Sequence, residues 1–379
     1  MNIRILTMLF GILLTSTIAF GQSVNVFQSG SDGYHTFRIP ALITTGDGTL
    51  LAFAEGRRGG RGDAGDIDLV LRRSTDDGTT WGPLMVIWND GANTCGNPCP
   101  VLDRSTNTVH LLMTRNLGTD HERQIIDQTS AETRTVWICN STDNGRTWTT
   151  PREITATTKQ PDWTWYATGP GNGIQLRSGE HAGRMIIPCD HIEAGTKKYF
   201  SHAIVSDDQG RTWRIAGRTP TDQVNECAVA ELADGSLLLN MRNYDRSKRN
   251  RAFSRSTDGG ETWSTLDRHP ELPEPICQAS MIDTENGRRL VFSNPASPDS
   301  RVAMTVKESR DGGKTWTVVR TLHPGPAAYS SLASIDDETV ACLYEAGEKH
   351  PYETIRFEKV NMSSTPGSDG SGSTDRQVP

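Results

Sequence analysis

One eight-residue phrase, S-x-D-x-G-x-T-W, constrains this chain more than any other feature. It stands at residues 74–81, 141–148, 206–213, 256–263 and 309–316. Ser, Asp, Gly, Thr and Trp keep the same offsets in every copy, so the copies mark one structural unit used repeatedly. Each reads as a tight turn between two antiparallel strands. The Asp carboxylate can accept hydrogen bonds from the turn's own amides, and Gly takes a backbone angle that other residues resist. The Trp is expected to begin the return strand and pack behind the turn. Boxes of this kind are staples, and chemistry should lie elsewhere.

A second pattern accompanies the boxes: a turn signal, an apolar run, then polar or charged residues. It occupies 46–57, 107–116, 182–191, 234–243, 286–295 and 337–345. Each copy follows a short strand-like run, at 41–43, 100–102, 173–176, 228–232, 279–282 and 331–335. Five copies lead through a further β-rich run into a box, with another short strand beyond it. Four short strands per unit, repeated along the chain, are the grammar of a propeller. Box spacing averages about 59 residues, so 24–360 holds about six units. The expected fold is all-β: a six-bladed β-propeller with four antiparallel strands per blade. The sixth unit has no box; its third strand is expected at 353–360. Its outermost strand is most simply supplied by 24–27, which closes the ring and removes an open edge. In such blades every box falls on one face. The loops between second and third strands, and the starts of the first strands, fall on the other, where function should collect.

Composition narrows the class. The chain has 379 residues and a net charge of −7, and it lacks a Lys/Arg run, which argues against nucleic acid as a partner. Residues 1–21 look like an export signal: Arg4 precedes the apolar stretch 5–20, and Ala19-Phe20-Gly21 suits cleavage before Gln22. An uncleaved anchor is the alternative. No other stretch is apolar enough to cross a bilayer, so the expected product is exported, periplasmic or secreted, without stable membrane insertion. The expected organisation is a signal at 1–21, the propeller at 22–360 and a disordered Ser/Gly/Thr/Asp-rich tail at 361–379. The seven cysteines are odd in number and scattered, which is no disulfide framework. Cys95 and Cys99 could pair in an oxidising compartment; as a zinc half-site they lack a second pair of ligands, so no metal is expected.

On the face away from the boxes, charged residues recur. Arg38 stands at the start of the first unit, and Arg57 and Asp63 lie in its 2→3 loop. Glu226 precedes the first strand of the fourth unit, and Arg242 ends its second strand. Arg301 is in the 2→3 loop of the fifth unit. Tyr329 opens the sixth, and Glu345 ends its second strand. Singly, a surface Arg solvates and a Tyr at a strand start packs. Together, arginines, three carboxylates and a tyrosine selected in the same loops of successive units point to a site.

The boxes, F-R-I-P at 37–40, E-G-R-x5-D, N-E-C, M-R-N, S-N-P…R and A-Y-S at 328–330 resemble, in this order, the bacterial and animal exo-α-sialidases (neuraminidases). The resemblance covers essentially all of 24–360. It implies a glycoside hydrolase that needs no cofactor and removes terminal sialic acids from glycans, glycoproteins or glycolipids. It also implies roles. Arg38, Arg242 and Arg301 would clamp the sialic acid carboxylate, a task suited to a permanently charged planar fork. Glu345 would orient Arg38. Asp63 would be the acid/base, with Arg57 lining the pocket beside it. Tyr329 would be the nucleophile, with Glu226 taking its proton.

A carboxylate is the usual glycosidase nucleophile, and sialidases are an exception. The substrate's anomeric carbon already bears a carboxylate, which repels an anionic attacker. A neutral phenol avoids that, although ionising it near neutrality costs about 4 kcal/mol. Passage through a covalent intermediate implies net retention. A trans-sialidase or an anhydro-product-forming enzyme would keep the same residues. A non-catalytic propeller that binds sialoglycans would be expected to have lost Asp63, Tyr329 or an arginine. A glycosidase acting on an uncharged sugar through paired carboxylates has no use for three arginines. The segments 162–171 and 117–134 should lie on the active face, either shaping the glycerol-side or aglycone pocket or folding over the rim. The N-acetyl pocket is not assignable from sequence.

Overall fold

The computed structural model describes residues 23–363, so the expected export signal and almost all of the expected tail lie outside the described residues. The chain opens with β1 (Val24–Gln28). A meander follows through β2 (Thr36–Thr44), β3 (Leu50–Arg57), β4 (Ile67–Ser74) and β5 (Met85–Trp88), in which β3, β4 and β5 each pair antiparallel with the strand before. The meander returns as β6 (Thr94–Asp103), β7 (Thr108–Asn116), β8 (Thr135–Ser141) and β9 (Arg152–Glu153). Next, β10 (Trp163–Thr168) and β11 (Ile174–Gln175) both pair with β12 (Met185–Glu193), followed by β13 (Tyr199–Ser206) and β14 (Arg214–Arg218). Another run comprises β15 (Val224–Glu231), β16 (Leu237–Asn243), β17 (Asn250–Ser256) and β18 (Asp267–Pro273).

The last strands are β19 (Ser280–Thr284), β20 (Arg289–Pro295), β21 (Val302–Ser309), β22 (Thr317–Ser334), β23 (Thr339–Ala346) and β24 (Thr354–Asn361). The long β22 pairs with β21 along its first half and with β23 along its second. As expected from sequence, β1 completes this end of the chain by pairing with β24. The fold is all-β; the described helices α1 (Glu122–Ile126) and α2 (Thr155–Thr158) are short. Among the described residues, no helix is long and apolar enough to cross a membrane.

The second strands read as nearly continuous apolar runs because both of their faces are covered. Five hydrophobic clusters each join two runs that are neighbours in sequence, and a small one gathers Ile39, Cys277, Ala328 and Tyr329. Phe53 and Leu71 meet Leu111 and Cys139; Leu112 and Ile138 meet Ile187 and Trp213. Ile186 and Val205 meet Leu239, Leu238 and Phe253 meet Phe292, and Val306 meets Val340. The remaining cluster joins the two ends of the chain: Leu42 and Val70 pack with Leu343 and Phe357.

Every box follows the third strand of its run. The Ser hydroxyl accepts the Gly N–H and donates to Asp Oδ1, as at Ser141, Gly145 and Asp143 (2.9 and 2.8 Å). The same carboxylate takes the Thr147 N–H (2.9 Å) and hydroxyl (2.6 Å). The Gly has positive φ, 76° at Gly145, and a Cβ there would stand 2.7 Å from Leu51 in the preceding run. Gly78 is tighter still, against Phe357. The expected place of the Trp needs correction. Only Trp213 and Trp316 directly precede a strand. The rings of Trp81 and Trp148 reach across to the neighbouring run, meeting Phe357 (5.3 Å between centroids) and Phe53 (5.7 Å). The cause is geometric: the left-handed turn brings the box onto its neighbour, where the large apolar face is best covered.

The seven cysteines, including Cys95 and Cys99, are buried free thiols.

Candidate active site

At the strand ends away from the boxes lies a cavity of about 210 Å³. Arg38, Arg57, Asp63, Glu226, Arg242, Arg301 and Tyr329 all line it. Glu345 does not; it sits behind Arg38, wholly buried. The sequence placed Arg38, Glu226 and Tyr329 just before short inner strands. The strands are longer than expected and carry these residues within them, at β-bulges. Pairing slips between Arg38 and Ala41 in β2, Gly96 and Cys99 in β6, Trp163 and Tyr166 in β10, Val224 and Cys227 in β15, and Ala327 and Ser330 in β22. A bulge bends its strand and re-aims a side chain. Here Arg38, Asn97, Trp165, Glu226 and Tyr329, all at or within these slips, are turned into the cavity.

Two carboxylates lock three of these bulges, those of β2, β22 and β6. Glu345 accepts the N–H of Ile39 (2.9 Å) and of Tyr329 (3.1 Å) and pairs with Arg38 through Nε (3.2 Å) and a second nitrogen (3.4 Å). Glu55 does the same one run on, accepting the N–H of Asn97 (2.9 Å) and both Nε and an Nη of Arg57 (3.0 and 2.6 Å). Ile39 and Asn97 both have positive φ, 58° and 53°. For a β-branched residue this is a true outlier, held in place by its surroundings.

On the wall of the cavity, the Tyr329 hydroxyl donates to Glu226 Oε1 (2.6 Å), while an Arg242 nitrogen donates to Glu226 Oε2 (2.6 Å) and to the Tyr329 oxygen (3.0 Å). The Arg38 and Arg301 guanidiniums flank the Tyr329 ring at 5.1 and 5.6 Å from its centroid. Burial foremost, then the Glu226 charge, pushes the phenol's pKa well above its ordinary value; Arg242, Arg301 and Arg38 pull against this. Tyr329 is therefore a protonated phenol in this arrangement, with an acceptor for its proton already bonded.

Asp63 is the exposed member, with 58% of its side chain accessible. It pairs with Arg57 (2.8 Å) and reaches Arg38 (3.5 Å). Burial raises its pKa, but Arg57 and then Arg38 outweigh that and hold it below the usual carboxylate range.

Sequence reasoning missed further residues that line the cavity: Glu122, Arg134, Trp165, Asp190, Asn225 and Tyr244. It did place 117–134 and 162–171 on this face, and Glu122, Arg134, Trp165 and Ala167 bear that out. Arg134 lies over the Trp165 ring (3.9 Å) and donates to Asn97 (2.6 Å) and Thr114 (3.0 Å). Asp190 is fully buried, which drives its carboxyl well above the ordinary range. Glu55 was findable, since it fills in the first unit the slot that Glu345 fills in the last. A larger, open groove of about 820 Å³ lies between 125–133 and 155–164 and contains none of the expected site residues.

Comparison with known proteins follows this geometry. Residues 48–342 match a family described as a BNR repeat-like domain, which sets the chain among proteins built from these boxes. It is 37% identical over 352 residues to a sialidase of Micromonospora viridifaciens, covering 88% of this chain and 53% of that one. With a sialidase of Bacteroides fragilis it shares 32% over 376 residues, covering 93% of this chain and 68% of the relative. Among solved structures, the Hadza microbial sialidase Hz136 superposes with a TM-score of 0.81 at 32% identity, covering 90% of this chain and 68% of that one. The chain belongs to the sialidase family. It spans about half the length of the Micromonospora relative.

Proposed function

We propose that this protein is a retaining exo-α-sialidase that releases terminal sialic acid from sialylated glycans through a tyrosyl intermediate. The observation that carries the reading is the three-way contact of Tyr329, Glu226 and Arg242, a neutral nucleophile bonded to a base beside a fixed positive charge. Arg38, Arg242 and Arg301 would hold the substrate carboxylate, each guanidinium offering paired donors to a planar anion. Their charge near Tyr329 also favours the developing phenolate.

In the first step the bond from the anomeric carbon to the leaving oxygen breaks as Asp63 gives that oxygen a proton. The Tyr329 oxygen bonds to the carbon and passes its own proton to Glu226. In the second step Asp63 takes a proton from water, whose oxygen displaces Tyr329, and Glu226 returns the phenol proton. Two inversions give net retention. The free site holds Asp63 ionised, yet the first step needs it protonated. A substrate carboxylate seated on Arg38 and its neighbours offsets the charges that depress Asp63, so binding itself raises the acid's pKa.

The scaffold for this chemistry is, on our reading, a six-bladed propeller spanning 22–360, preceded by an export signal at 1–21. Six clusters each joining neighbouring runs, the last joining the two ends, support a closed ring. Hydrolysis of a fluorogenic α-sialoside, without added metal, by protein starting at Gln22 tests the reading. Fast turnover releasing the α-anomer first, followed by proton NMR, is expected; an initial β-anomer rules out the double displacement.

A further inference from the structure

We infer that Tyr352 is a positioning residue of the arginine wall, fixing Arg301 through its hydroxyl and Arg38 through its ring. This rests on the carboxylate-clamp reading above. The three guanidiniums are held differently. Arg38 has Glu345 and Arg242 has Glu226. Arg301 has no carboxylate within ion-pair distance among the described residues; it donates to the Ile276 carbonyl (3.0 Å) and to the Tyr352 hydroxyl oxygen (2.7 Å). Neither acceptor is a carboxylate. A carboxylate would orient the fork equally well but would also cancel its charge. Arg301 is thus the guanidinium whose full charge stays available to an incoming anion.

The same phenol serves Arg38 by another route. Its ring lies 3.9 Å from the Arg38 guanidinium carbon, covering one planar face and leaving the edge donors for Glu345 and the cavity. Tyr352 is itself secured at both ends of its backbone. Its N–H donates to His350 Nδ1 (3.2 Å), and its carbonyl accepts from the Ser29 hydroxyl (2.8 Å) just beyond β1. Glu353 ties the loop further by accepting the N–H groups of Glu348, Lys349 and His350.

The other acceptor is held against its preference. Ile276 is β-branched yet has φ of 56°, a conformation that persists only where the surroundings impose it. Its carbonyl is the one Arg301 binds. Two independent devices therefore converge on a single side chain.

Calorimetric titration with N-acetylneuraminic acid and with its methyl ester reads this wall without requiring turnover. Tyr352→Phe keeps the ring and removes the acceptor. The Kd for the acid should rise about tenfold, while that for the ester moves less than about twofold. On an Arg301→Lys background the same change should add less than about twofold, since the fork it positions is gone. Acid binding by Tyr352→Phe within about twofold of wild type overturns the inference, as does a full loss that persists in the double variant. Wild type that binds acid selectively but hydrolyses no sialoside would count against the reaction proposed above while leaving the Tyr352 comparison intact. Wild type that does not prefer acid to ester would overturn both the clamp and this inference.

Discussion

The two ends of the strands use the same side-chain chemistry in opposite ways. At the box end, each Asp lies at the surface, exposed or half-buried, and its carboxylate is filled by the turn's own donors, so its pKa falls to about 2 in Asp76, Asp143 and Asp311. At the cavity end, Arg38, Glu55, Arg57, Glu226 and Glu345 are buried and held in ion pairs, with Asp63 the exposed member, and several of them stand on strands that bulge. The Tyr329 phenol and the Asp190 carboxyl are pushed far up by burial. Satisfaction by local backbone makes a staple that can be copied five times. Satisfaction by partners from distant runs makes a site that occurs once, because each residue depends on several others.

The largest effect should come from Tyr329→Phe, which keeps the ring and removes the oxygen bonded to Glu226. We expect kcat on a fluorogenic sialoside to fall by about a thousandfold or more, with the fold retained. Near-normal kcat would remove Tyr329 from the chemistry and dissolve the contrast between the two ends.

Glu345→Ala should act on activity and stability together. It leaves Arg38 buried without its carboxylate and frees the N–H groups of Ile39 and Tyr329. Stability should drop by about 3 kcal/mol in urea denaturation, and kcat/KM by about a hundredfold. A loss of stability with unchanged kcat/KM would make Glu345 a staple like those of the boxes.

Asp143→Ala should behave in the opposite sense. Removing the box carboxylate should cost about 1 kcal/mol and leave kcat/KM within about twofold of wild type. A large kinetic loss would mean that the box end communicates with the cavity.

The smallest effect should appear in acid. The box carboxylates have folded pKa values below their unfolded ones, so the stability they contribute is present above about pH 4 and is lost as pH falls towards about 2. Asp76→Asn should therefore flatten the fall of Tm between pH 4 and pH 2 relative to wild type. An unchanged slope would assign the acid sensitivity to other groups.

What could be read from the sequence divides along the same line. Box turns were legible because Ser, Asp, Gly and Thr act on their own backbone within eight residues. Arg38, Asp63, Glu226, Arg242, Arg301 and Tyr329 were legible as a group because alternation of strands sends their segments to one face. The bulges were not. Ile39 and Ile276 adopt a left-handed backbone that their β-branched side chains oppose, so local preference points away from the observed geometry. Asp190 sits inside the apolar-looking strand β12, and only the packing of its neighbours shows that it meets the cavity. Tyr352 lies in a loop where nothing in the residue pattern marks it. The box Trp residues were legible as packing groups, but the partners of Trp81 and Trp148 belong to a different run, Phe357 and Phe53, and required the three-dimensional arrangement.

The pairing of β1 with β24 also sets an order of events during synthesis. Gln28 and Glu353 at this seam are 325 residues apart in the chain. A ribosome adding about 5–20 residues per second leaves the first strand waiting roughly tens of seconds for its partner. During that interval its edge, together with the flank of β2 and β3 that the last strands later cover, is available to chaperones. A chain halted before residue 354 would lack the strand that receives β1, so the seam works as a latch that shuts only after translation is nearly complete.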